Sequence, residues 1–73
     1  MINWNKFKIL IGNGKRKYLK RGKQKYHFIS WNEEIKEITI MNVKAKRTLI
    51  CMPLWAFIQD FEFIGMTSER PLF

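Results

Sequence analysis

The chain has 73 residues, with 14 Lys+Arg against 6 Asp+Glu for a formal charge of +8, and is 47% hydrophobic and 15% aromatic. That length holds one small domain and excludes a multi-domain enzyme, and that hydrophobicity excludes disorder by composition. One cysteine, Cys51, and one histidine, His27, exclude an internal disulfide and a Cys/His zinc cluster.

The charge is uneven. Residues 1–27 hold nine cations and no carboxylate, and the rest of the chain is nearly neutral. The first elements are read in that basic third. Phe7, Ile9 and Ile11 alternate with Lys6, Lys8 and Leu10, a period of two that predicts a strand. Gly12-Asn13-Gly14 then reads as a tight hairpin turn, because all three residues tolerate positive φ. Lys15 to Lys25 follows, with Tyr18 and Leu19 ahead of Gly22, and residues 15–27 read as a basic hairpin. Tyr26, Phe28 and Ser30 alternate with His27, Ile29 and Trp31 in the next strand, and Asn32-Glu33-Glu34 is a turn.

Ile38 to Val43 is β-branched and alternates, with Ile38 and Ile40 on one face and Thr39, Met41 and Val43 on the other. Lys44 to Arg47 is a polar reversal. Thr48 to Met52 reads as a short buried strand, with Cys51 in the core. Pro53 ends it, having no amide to donate. Leu54, Phe57, Ile58 and Phe61 then make a helical stripe at i, i+3, i+4 and i+7. Phe61 to Ile64 alternates as a closing strand that stops at Gly65. Residues 1–65 are thus expected to form one domain and 66–73 a flexible tail.

The fold expected is all-β, or β-rich with one short helical turn, as a small barrel of five or six strands. The order strand, Pro-containing helical turn, last strand over Thr48 to Ile64 resembles the closure of SH3-like barrels. That resemblance is architectural and implies no binding motif. An OB-like barrel is the second reading.

Stability is expected from Trp4, Trp31, Trp55 and the phenylalanines, with dimerisation as a supplement, so the chain reads as a monomer or a homodimer. The lone thiol and the absence of any apolar run long enough to span a bilayer predict a cytoplasmic protein. Lys, Ile and Asn make up 25 of the 73 residues, a composition suited to a phage or another AT-rich genome.

The residues most suited to binding are Lys15, Arg16, Lys17, Lys20, Arg21, Lys23 and Lys25, interleaved with Tyr18, Tyr26 and His27. Clustered cations repel one another and favour an anionic partner. Phosphates suit them through counterion release, and bases stack on aromatic rings.

Two readings stay open. One is a nucleic-acid-binding module on DNA or RNA backbone, with Trp31 a further stacking ring. The other is a phage or mobile-element inhibitor that docks its basic and aromatic residues on an acidic protein surface. Solvated charge with the tyrosines in the core is the plain alternative to both. Gly12-Asn13-Gly14-Lys15-Arg16 offers amides to a phosphate but lacks dinucleotide or P-loop spacing. Glu33, Glu34 and Glu37 at a turn suit solvent better than acid–base work or a cation. With no nucleophile–base pair and no metal set, the chain reads as a non-enzyme without cofactor.

Overall fold

The computed structural model describes residues 1–45 and 48–67. Five strands make one antiparallel sheet: β1 (Arg16–Arg21), β2 (Gln24–Asn32), β3 (Glu37–Asn42), β4 (Leu49–Pro53) and β5 (Glu62–Thr67). Their spatial order is β4-β3-β2-β1-β5. Two short helices, α1 (Trp4–Leu10) and α2 (Leu54–Asp60), complete the fold. The β-rich class is the one expected, and the helical turn after Pro53 leads into the last strand as expected. Among the described residues β4 pairs only with β3 and β5 only with β1, so these two strands are the sheet edges and α2 links them.

The N-terminal segment corrects the sequence reading. The expected strand through Phe7, Ile9 and Ile11 is helix α1. Asn3 caps it, its Oδ1 accepting from Lys6 N at 3.3 Å. The apolar set that matters is Trp4, Phe7 and Ile11, at i, i+3 and i+7. Phe7 is buried, and Ile9, which the alternation placed with it, is 80% exposed. Gly12-Asn13-Gly14 is therefore a helix-to-strand connection and not a hairpin turn. Gly12 (φ 91°) and Gly14 (φ 77°) hold its left-handed positions.

The basic hairpin forms as expected. Arg21 pairs with Gln24 across the two-residue turn Gly22-Lys23, and Gly22 has φ 61°. Glycine at the first central position is the type II′ arrangement, whose twist matches the strands it joins. In β2 the simple alternation breaks. Ile29 is an extra residue in the ladder, because Phe28 pairs with Ile40 and Ser30 with Thr39. The bulge brings Trp31 onto the same face as Tyr26 and Phe28.

That face is the core. Leu19, Tyr26, Ile38, Ile40 and Met52 pack beneath the helices with Ile2, Phe7, Phe57 and Phe61. Phe7 is the hub, with ring centroids 5.3 Å from Phe28, 5.6 Å from Phe57 and 5.4 Å from Phe63. Trp4 meets Trp31 edge to face at 4.9 Å. Each such pair adds about 1 kcal/mol to the burial of its rings. The Cα radius of gyration is 11.3 Å, near the roughly 11 Å that a chain of this length needs when compact.

β4 and β5 differ from expectation in placement. Leu49 to Pro53 is an edge strand and not a buried one: Leu49 is 57% exposed, and only Met52 is buried. Cys51, expected in the core, is exposed. β5 continues through Gly65 (φ 146°) to Thr67, with Ile64 bulged out of register opposite Tyr18 and Leu19. Met66 and Thr67 thus belong to the sheet. Lys46, Arg47 and the tail from Ser68 onward lie outside the described residues.

Candidate functional site

The basic hairpin divides by burial. Alternation along β1 points Lys17, Leu19 and Arg21 toward the helices and Arg16, Tyr18 and Lys20 to the outer face. Lys17 is 5% exposed. Its Nζ donates to Asn13 Oδ1 at 2.9 Å and to Lys15 O at 2.8 Å. Burial lowers its pKa, since the apolar surroundings disfavour the ammonium. Lys17 is therefore a structural tie between the Gly12–Gly14 connection and β1. Asn13 Oδ1 also accepts from Lys15 N at 2.9 Å, so this loop spends its amide side chain on its own backbone.

Tyr26 and His27 are also withdrawn from the surface. Tyr26 is 4% exposed and meets Phe61 edge to face at 5.3 Å. His27 is 2% exposed. Its pKa is lowered by burial first and by the Arg16 charge second, against a backbone hydrogen bond at Phe28 that raises it. Neither ring offers an open face to a base. Tyr18 is half-buried, and its hydroxyl accepts from Arg16 Nη1 at 2.8 Å. Trp31 is half-buried against Trp4 on the core side.

What remains exposed is Lys15, Lys20, Arg21, Lys23 and Lys25. Lys20 and Lys25 are cross-strand partners on the outer face, and Lys20 pairs on its other side with Glu62, Nζ to Oε2 at 3.5 Å. Arg21 lays its guanidinium 4.9 Å from the Phe61 ring and 5.6 Å from Tyr26. That stacking fixes the arm and leaves the cation at the surface.

One cation joins this set through the fold alone. In an antiparallel meander alternate turns lie at the same end of the sheet, which sets the β3–β4 turn beside the β1–β2 turn. Val43 N donates to Lys25 O at 3.0 Å, and Asn42 Nδ2 to Gln24 Oε1 at 3.4 Å. Exposed Lys44 thereby comes to the end that carries Lys23 and Lys25. The sequence signal was the register of two successive hairpins, which composition does not reveal. The opposite end of the sheet holds the β2–β3 turn with Glu33 and Glu34, and Glu37 opens β3. Asn32 Oδ1 shapes that turn by accepting from Glu34 N at 3.1 Å, and Lys8 reaches Glu33 at 3.8 Å. The exposed hairpin cations thus gather at one end, beside Glu62, and Glu33, Glu34 and Glu37 at the other, where Lys15, Arg16 and Lys36 also lie.

No family model matches the chain, and no curated protein or solved structure matches it at a significant level. The site therefore rests on its own geometry. Among the described residues no group of three His, Cys, Asp or Glu side chains could hold a metal ion, and no helix is long and apolar enough to cross a membrane. Apolar grooves open on the surface of the described residues. One, of about 560 Å³, runs between α1 and β5 and is lined by Ile2, Phe7, Leu10 and Phe63. Another, of about 410 Å³, is lined by Ile35, Lys36, Pro53, Leu54, Trp55 and Ile58.

Proposed function

We propose that this chain is a non-enzymatic module that binds nucleic-acid backbone through the cationic end of its sheet. The observation that carries the reading is the gathering of Arg21, Lys23, Lys25 and Lys44, all exposed, at one end by two adjacent turns. Four exposed cations at adjoining turns can address one run of phosphates together. Lys20 adds its charge less effectively, because Glu62 partly neutralises it.

The contact is to phosphate and carries no base reading, since Tyr26 and His27 are buried and Tyr18 is held by Arg16. Phosphate contacts position a protein on nucleic acid without specifying sequence. The protein-docking alternative needs cations and aromatic anchors on one surface. Trp55, the most exposed aromatic among the described residues at 69%, lies with Ile35 and Lys36 toward the end that carries Glu37.

The experiment is fluorescence polarisation on labelled single- and double-stranded DNA and RNA over a salt series. Four phosphate contacts on duplex DNA predict a loss of about 150-fold in affinity between 50 and 200 mM salt. Replacing Lys23 or Lys44 by Gln lowers the salt slope by about 0.9 each. Binding independent of these lysines overturns the reading, and acidic protein surfaces become the ligand class to test.

A further inference from the structure

β4 carries the sequence Leu-Ile-Cys-Met-Pro, with no charged residue, and among the described residues stands at an unpaired edge of the sheet. Natural sheets guard their edges with charges, bulges or short twisted strands, because unpaired backbone groups recruit another strand. β5, the other edge, has such guards: the Ile64–Gly65 bulge and Glu62. β4 has an unbroken register against β3 from Leu49 to Pro53 and only Pro53 as a stop.

The ladder fixes which backbone groups β4 presents. Asn42 N donates to Thr48 O at 3.4 Å, and Leu54 N donates to Lys36 O at 2.8 Å. Hydrogen-bonded pairs alternate along an antiparallel ladder. Ile50 and Met52 therefore turn their N–H and C=O inward to Ile40 and Ile38. Leu49 and Cys51 turn theirs outward, whereas the carbonyl of Pro53, the N-cap of α2, is taken by the first turn of that helix. When the strand meets its own copy antiparallel about Cys51, Cys51 faces Cys51 and Leu49 faces Pro53. The two Cys51 exchange both bonds, and Pro53, with no amide to donate, ends the pairing on each side.

We propose that the chain forms a homodimer in which β4 pairs with β4 of a second copy across a two-fold axis at Cys51, joining the two sheets into one. Charge favours this arrangement. The Leu49 end of β4 continues into the turn with Lys44, whereas Pro53 pairs with Glu37 beside the Glu33–Glu34 turn. A two-fold axis sets the Lys44 end of each copy against the Glu37 end of the other. It also sets the second copy's Leu49 beside Pro53 on the outer face, which removes part of an exposed apolar side chain from water. The interface is small, which places the dimer among weak associations. This inference stands independently of nucleic-acid binding.

The test is sedimentation equilibrium of the full chain without nucleic acid, up to sub-millimolar concentration. The wild type is expected to pass from monomer to dimer mass. Leu49→Lys, a charge at an exposed edge position, is expected to weaken the dimer at least about ten-fold. Cys51→Pro removes an outward N–H that β3 does not use and has the same expected effect. Cys51 is the chain's one cysteine, so a short bis-maleimide is expected to link two wild-type copies through it. Hydrogen-bonded antiparallel partners are about 5.5 Å apart at Cα. Monomer mass throughout overturns the proposal. So does a dimer that keeps its affinity in a folded Leu49→Lys variant, or one whose Cys51 pair fails to cross-link. If both variants lose their β circular dichroism, the wild-type mass and cross-link decide.

Discussion

His27 sits on the outer face of β2, opposite Tyr18 in β1 and Met41 in β3, with 2% of its surface exposed. Its folded pKa lies below the ordinary value of 6.5. The unfolded chain therefore binds the proton first as pH falls. Stability is full above about pH 6.5 and declines as pH drops from there toward the lowered folded value. Thermal melts between pH 7 and pH 5 are expected to show that loss, and His27→Gln is expected to flatten it. An unchanged slope in the variant assigns the acid sensitivity to other groups. Lys17 makes a related point. Its charge reads from sequence as one more cation in a run of seven, yet its ammonium is consumed by Asn13 and Lys15. Alternation along β1 decides this, and a charge count carries no phase information. The same phase, not composition, separates Leu19 in the core from Tyr18 outside it.

At the scale of elements, β2, β3 and α2 were legible because each carries a local signal that its packing reinforces. Ile38 and Ile40 alternate with polar neighbours, and Pro53 precedes the stripe Leu54, Phe57, Ile58 and Phe61. α1 was not legible as a helix, because Phe7, Ile9 and Ile11 also satisfy a period of two. The deciding signals were Asn3 at the N-cap and the Trp4–Phe7–Ile11 spacing, both compatible with helix alone. Asn3→Ala is expected to cost about 1 kcal/mol in denaturant unfolding. Ile9→Lys is expected to change stability by under about 0.5 kcal/mol. A large loss for Ile9→Lys would return this segment to the sheet. β4 was legible as a strand but not as an edge. The letters Leu, Ile, Cys and Met report a strand's affinity for apolar neighbours, whereas edge position follows from the order of all five strands.

For the whole molecule, the charge asymmetry was plain in the sequence as a basic first third, but its geometry was not. The fold carries Lys44 to the hairpin tip and sends Glu33, Glu34 and Glu37 to the far end. Glu62 is the one acidic residue paired with a hairpin cation among the described ion pairs. Glu62→Gln is expected to release Lys20 and raise duplex affinity roughly two-fold, the scale of an exposed ion pair. Unchanged or weaker binding would place the phosphate track away from Lys20.

β5 pairs with β1 across most of the chain: Arg16 meets Thr67, and Leu19 meets Phe63. The β1–β2, β2–β3 and β3–β4 ladders each join neighbours in sequence and close over short loops. The β1–β5 ladder closes over a far longer one, at a higher entropic cost that must be met before its contacts form. The β1–β5 ladder is therefore expected to form after the meander. Substitutions of Phe63, whose sheet contacts lie across that ladder, are expected to give lower φ-values than those of Ile38 and Ile40, and equal values would place its closure in the transition state.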